Sequence, residues 1–173
     1  MAATTSFKEV NGAGATATTV TNIRFCTTDS YNPTTTYPAI VPSSGSNYSY
    51  WKHIYLNADT APAGTINNLK FFTDGTIGWT GVTMKVAEVA SYEQASGTQG
   101  TTGDNAATDH VNTPTMVDAS TYTSASPLSL TGTITGTTGK INTGYLLLQT
   151  TISTSAGPGT LAAETLTIRY DET

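Results

Sequence analysis

The sequence predicts an all-β protein, built as a single two-sheet sandwich of about 8–10 strands with almost no helix. Apolar and polar residues alternate with period two between turn signals, and apolar residues at helical spacing are hard to find in any window. Threonine is β-branched and suited to sheet, and it fills 38 of the 173 positions. The apolar fraction of 37% is enough for one sizeable core. A jelly roll and an immunoglobulin-like Greek key both fit this pattern.

The strand pattern is clearest in seven segments, and in 82–89 the apolar side chains of Val82, Met84 and Val86 share one face. Asp74 with Gly75 predicts one turn, and the sequence Gly-Pro-Gly at 157–159 predicts another. The seven segments are 16–25, 50–57, 65–73, 82–89, 128–135, 145–153 and 164–170, and shorter strands are expected at 7–10, 38–41 and 116–123.

One strand is apolar on both faces. Leu146, Leu147 and Leu148 are consecutive, so they cannot all point to the same side of a sheet. We therefore expect this strand to be central, or its outer face to be covered by another segment or subunit.

Three regions make up the predicted organisation. Residues 1–15 are small and mostly polar, which suggests an extended N-terminal arm. Residues 16–173 form the single β-sandwich domain. Within it, residues 93–114 are predicted to form a long polar loop, and a loop of this length indicates disorder or a binding role.

Charge and hydropathy exclude several classes of partner. Only 11% of the residues are charged, the net charge is -5, and the seven basic residues are scattered. A nucleic-acid groove or an anionic membrane surface has no electrostatic basis here. The first residues lack the basic and apolar regions of a signal peptide, and no apolar run approaches membrane-spanning length. We expect a soluble protein made in a cytoplasm.

Residues able to do chemistry are few, and we predict that the chain is not an enzyme and uses no cofactor or metal. His53 is expected to be packed or at an interface, His110 to be solvated, and the two to be unconnected. Cys26 lies in an apolar run and is expected to be a buried, inert thiol. Oxygen ligands at 104, 105 and 109 lack the spacing of an EF-hand calcium loop.

Aromatic side chains are the best candidates for a contact surface. The group Tyr48, Tyr50 and Trp51 is dense, and Trp79 lies between two glycines. Tyr and Trp are enriched at interfaces, although core packing is the commoner role of such rings. These four residues are therefore the predicted contact residues, and a lectin-like or receptor-binding module that stacks them against glycans is the alternative function.

A family resemblance suggests a more specific role. Segments 64–75, 80–86 and 165–172 resemble small Thr-rich β-sandwich virion proteins of tailed phages, in particular capsid decoration and other auxiliary head proteins. The resemblance implies a homo-oligomer, with a trimer favoured, that binds the major capsid protein on an assembled head and reinforces it without catalysis. A head fibre base, a tail component and a small jelly-roll capsid subunit are further virion alternatives. The resemblance transfers no functional residue by position.

Overall fold

The computed structural model describes residues 2–33 and 35–173 and confirms the all-β sandwich. Two sheets face each other, and every strand pairing found in this part of the chain is antiparallel. The large sheet has the order β2-β1-β4-β13-β6-β9, with β12 added to β4 and β3 added to β13. Its strands are β1 (Thr5–Asn11), β2 (Thr16–Val20), β3 (Ser46–Tyr48), β4 (Lys52–Ala58), β6 (Val82–Val89), β9 (Val117–Asp118), β12 (Gly139–Lys140) and β13 (Tyr145–Ser153).

The small sheet is centred on β5 (Thr65–Phe72), which pairs with β14 (Thr167–Glu172) and with the short strands β10 (Leu128–Ser129) and β11 (Ile134–Thr135). A separate hairpin joins β7 (Gly97–Thr98) to β8 (Thr102–Gly103). Among the residues that the structure describes, helical structure is limited to α1 (Ala106–Asp109) and a 3-10 turn (Ala119–Thr121). No helix in the described ranges is long and apolar enough to span a membrane.

The main core lies between the two sheets. Ile54 and Leu148 of the large sheet and Phe71 of the small sheet are almost completely buried in one apolar cluster. These side chains occupy alternate positions on their strands, as period-two patterning requires. Burial of this cluster is the main force that holds the sheets together.

Strand bounds agree with the prediction in some segments and differ in others. Strands β6 and β13 have the predicted ends, whereas the segment 16–25 forms a strand only to Val20 and 38–41 forms none. The segment 128–135 is split into β10 and β11. It breaks near Gly132, where an added Cβ would lie 2.2 Å from the carbonyl oxygen of Ile141.

The N-terminal segment contains the short strand that was expected at 7–10. Residues 5–11 are strand β1, which lies between β2 and β4 with Phe7 opposite Leu56. The segment pairs because Phe7 is packed against the core and Val10 is buried, so it carries enough apolar surface to join the sheet. Met1, which the predicted arm includes, lies outside the described residues.

The doubly apolar strand is central, as expected, and its outer face is also covered. Strand β13 lies between β4 and β6, and Leu147 packs in a second cluster with Trp51, Ala95 and Ala106. The cover is residues 93–114, the segment predicted as a polar loop, and we call it the cover segment. It is held by the buried Gln149, which accepts a hydrogen bond from Ala106 N at 2.9 Å and donates one to Asp104 O at 2.7 Å. The polar loop is thus a third layer packed on the sheet.

Candidate functional site

Two histidines that are far apart in sequence meet beneath the cover segment. His53 lies on the outer face of β4, and His110 follows α1 at its C-cap. Their Nε2 atoms are 3.0 Å apart and each residue is only 1% exposed. The expectations that His110 is solvated and that the histidines are unconnected are therefore wrong. Folding of the cover segment over β4 brings the two histidines together. Their positions in the sequence do not predict this contact.

The hydrogen bonds fix the tautomer of each ring. The backbone N–H of Asn112 donates to His110 Nδ1 at 3.1 Å, so this nitrogen carries no proton. A neutral His110 is then protonated on Nε2 and donates to His53 Nε2. His53 accepts with Nε2 and carries its own proton on Nδ1. The pair is complete with both rings neutral.

The surroundings of the pair keep it neutral. Burial, the neighbouring His110 and then Lys140 lower the pKa of His53 to about 3. Burial also lowers the pKa of His110, while Glu93, whose Oε2 is 3.9 Å from His110 Nδ1, acts in the opposite direction. A second proton would place charge in an enclosed, mostly aromatic environment, which is unfavourable.

Aromatic rings and one lysine surround His53. The rings of Tyr92 and Tyr145 lie 4.8 and 5.5 Å from the His53 ring, and Trp51 packs edge-on against His110 at 5.4 Å. Lys140 Nζ lies over the Tyr145 ring, 3.3 Å from its centre, and burial lowers the pKa of this ammonium to about 8. The cluster has the residue types of an acid-base site, but the cover segment closes it from solvent.

Two shallow clefts lie elsewhere on the surface. One, of about 260 Å³, is lined by residues that include Glu88, Thr131 and Thr143. The other, of about 170 Å³, is lined by residues that include Arg24, Tyr31 and Asn32. Neither cleft is lined by His53 or His110, so neither opens onto the histidine pair.

A second polar cluster lies on the inner face of the large sheet. Lys52 Nζ is 2.9 Å from Glu9 Oε1, and both side chains are completely buried. Lys52 also donates to Ser30 O at 2.6 Å, and Asn11 donates to the same Glu9 oxygen at 3.0 Å. The sequence analysis did not predict this cluster. Its signal in the sequence was Lys52 at a position that shares the apolar face of Ile54 and Leu56.

The four predicted contact rings have different environments. Tyr50 is 7% and Trp51 2% exposed, so both predicted contact rings are enclosed by the fold. Their polar atoms bind the cover segment, since Trp51 Nε1 donates to Glu93 O at 2.9 Å and Tyr50 Oη donates to Gly97 O at 3.1 Å.

The other two predicted contact rings, Tyr48 and Trp79, are half-buried. Trp79 packs edge-on against Phe25 and donates to Ala162 O at 2.8 Å.

The oxygen ligands weighed for calcium serve the local fold. Asn105 caps α1 by accepting from Ala107 N, Asp109 accepts from Asn105 N, and Asp104 accepts from Ser96 Oγ. Within residues 2–33 and 35–173, no group of three or more His, Cys, Asp or Glu side chains is arranged to hold a metal ion.

Cys26 is buried, as the sequence predicted. Its Sγ lies 3.3 Å from Thr28 O, and burial raises the pKa of the thiol. A raised pKa keeps the sulfur in its unreactive thiol form.

No protein-family model, no curated protein and no solved structure matches this chain.

Proposed function

We propose that this chain is a non-enzymatic structural virion protein, a capsid decoration protein that binds the outside of an assembled phage head through the major capsid protein. The observation that carries the proposal is the outer face of the small sheet. The large sheet buries the middle of its outer face beneath the cover segment, whereas the outward side chains of β5 and β14 are half-buried or exposed.

This outer face is rich in hydroxyl groups and nearly neutral. Thr65 and Thr135 bring their hydroxyls to 2.9 Å, and Lys70 donates to Ser129 Oγ at 2.7 Å. The Arg169 guanidinium lies 5.9 Å from the centre of the Phe72 ring. The hydroxyl groups can exchange hydrogen bonds with a neighbouring subunit, and Lys70 and Arg169 can donate to acceptors on it, which suits repeated contacts between protein subunits.

The proposal is tested on the virus that encodes the chain. We expect an antibody against the folded protein to label the outer surface of intact heads. Particles assembled without the protein should form normally but lose DNA at a lower temperature, because the contacts between capsid subunits are no longer reinforced. Unlabelled heads, or heads of unchanged heat resistance, would overturn the proposal.

Variants locate the binding surface. Thr135→Arg places a bulky charge on the proposed face and should weaken binding to undecorated heads at least tenfold. Thr160→Arg is the matched control, because Thr160 is also exposed but lies in the loop between β13 and β14. Equal binding by the two variants would exclude this face. Light scattering of the purified chain measures its molar mass in solution, which should be that of a trimer.

The glycan-binding alternative has less support. Two of its four rings, Tyr50 and Trp51, are enclosed by the fold. Tyr48 and Trp79 are the remaining half-buried rings. Binding on a glycan array that Trp79→Ala abolishes would favour this alternative over a virion role.

A further inference from the structure

A lysine, an asparagine and a glutamate lie together on the inner face of the large sheet. In the pairing of β1 with β4, Val10 is opposite His53. The next position in this antiparallel register places Asn11 opposite Lys52, and Glu9 is two residues from Asn11 on the same face. The three side chains therefore lie on neighbouring positions of two paired strands.

The three residues are buried and share one oxygen atom. Glu9 is 0%, Lys52 1% and Asn11 8% exposed. Glu9 Oε1 accepts from Lys52 Nζ at 2.9 Å and from Asn11 Nδ2 at 3.0 Å, so the two nitrogens are no more than about 6 Å apart. Asp29 also accepts from Asn11 Nδ2, at 3.1 Å.

Two acceptors of this cluster lack a partner. Glu9 Oε2 and Asn11 Oδ1 are buried and, among the described residues, accept no hydrogen bond. Unpaired buried acceptors are costly, and so is the desolvation of the Glu9 and Lys52 charges. The cluster therefore carries two separate free-energy costs, one from the unpaired acceptors and one from the buried charges.

We propose that Lys52 and Asn11 form an intramolecular isopeptide bond, with Glu9 as the catalytic residue that carries the protons. The Lys52 ammonium gives one proton to the Glu9 carboxylate, and the resulting amine attacks Asn11 Cγ. Glu9 then passes a proton to Nδ2 and takes another from the attacking nitrogen. The Nζ–Cγ bond forms, the Cγ–Nδ2 bond breaks, and ammonia leaves.

The atoms and charges balance without any further reagent. The ammonium, carboxylate and carboxamide become a secondary amide, a neutral carboxylic acid and ammonia. No charge of the pair remains buried, and Glu9 gains a hydroxyl that can donate to a neighbouring acceptor. Exclusion of water from this site protects the new amide from hydrolysis. The bond fastens β1 to β4 independently of the proposed role of the protein.

The test is the mass of the purified full-length chain under denaturing conditions. Loss of ammonia should lower the mass by about 17 Da relative to the sequence. Trypsin cannot cleave after a modified Lys52, so peptide 9–24 should be recovered joined to residues 25–70. Glu9→Gln, which keeps the shape of the side chain, should restore the unmodified mass and separate the peptides. Circular dichroism checks that this variant is folded.

The control variant is Lys140→Gln, which changes a partly buried lysine outside this cluster and should retain the joined peptides. An unmodified mass in the folded wild-type chain would overturn the proposal. So would a mass loss confined to peptide 9–24, because Asn11 precedes Gly12 and can lose ammonia by closing on its own backbone. Joined peptides that persist in Glu9→Gln would overturn the role of Glu9.

Discussion

His53 and His110 are 57 positions apart in sequence, yet their Nε2 atoms lie 3.0 Å apart in a buried contact between the large sheet and the cover segment. The contact requires both rings to be neutral, because the Asn112 N–H occupies the Nδ1 of His110. The protonation state of this pair is therefore coupled to closure of the cover segment.

Acidification should destabilise the protein through this pair. The pKa of His53 is about 3 in the folded chain, against 6.5 for an unperturbed histidine, so between these pH values the unfolded chain binds the extra proton. Stability is thus fully present above pH 6.5 and falls as the pH decreases toward 3, by up to about 1.4 kcal/mol per pH unit for His53. His110, whose pKa is also lowered, should add to this loss.

Urea unfolding at pH 7, 5.5 and 4 measures the effect. The control is His53→Gln, which does not titrate in this range and whose side-chain oxygen can still accept from His110. Its free energy of unfolding should depend less steeply on pH than that of the wild-type chain. Equal slopes would contradict a neutral, buried His53.

Gly103→Ala should displace the cover segment. A Cβ at this position would lie 2.5 Å from the carbonyl oxygen of Ser49, a backbone atom that cannot move without disturbing the adjoining strand. Exposure of the Trp51 ring should shift the tryptophan emission to longer wavelength. Gly157→Ala is the control, because no atom lies within 4 Å of its added Cβ and the emission should not change. The same spectrum for both variants would contradict close packing at Gly103.

Trp51→Ala should cost more stability than Trp79→Ala. Trp51 is 2% exposed and donates to Glu93 O, so its removal leaves a cavity and an unpaired carbonyl, at a cost of about 3–5 kcal/mol. Trp79 is only half-buried, and roughly half that loss is expected. Denaturant unfolding of both variants gives the comparison. A larger loss of stability for Trp79→Ala would contradict the close packing of Trp51 beneath the cover segment.

Asn68→Ala should be less stable than Asn68→Gly. Asn68 has a φ of 53°, in the left-handed region that glycine adopts freely and alanine does not. Both changes remove the 2.7 Å hydrogen bond to Asp171, so the difference between them isolates the backbone effect. We expect about 1 kcal/mol, measured by thermal unfolding. No difference would indicate that this irregular position of β5 can relax.

The same irregularity illustrates how far sequence patterning reaches. Ile66, Leu69 and Phe71 are all fully buried, although a spacing of three between the first two breaks strict alternation. The chain accommodates the extra residue near Asn68, where the pairing with β14 also shifts register. Alternation predicted that β5 exists, whereas the position of its irregularity depended on the partner strand.

The candidate sites were harder to predict because they are made of contacts between distant segments. The dense aromatic group that includes Tyr50 and Trp51 predicted a contact surface, but the cover segment buries both rings. The closeness of His53 to His110 and of Glu9 to Lys52 depends on which strands pair and which loop covers them. No motif spacing encodes either relationship.

Local periodicity and apolar neighbours were enough to predict the all-β sandwich, the bounds of β6 and β13, the burial of both faces of β13 and the burial of Cys26. The folded structure was needed to show that β1 pairs with β2 and β4, that residues 93–114 form a third layer, and that the histidines and the Glu9–Lys52 pair are enclosed. Local alternation fixes which face of a strand is apolar. Which segment covers that face depends on the total apolar area that the folded chain can bury.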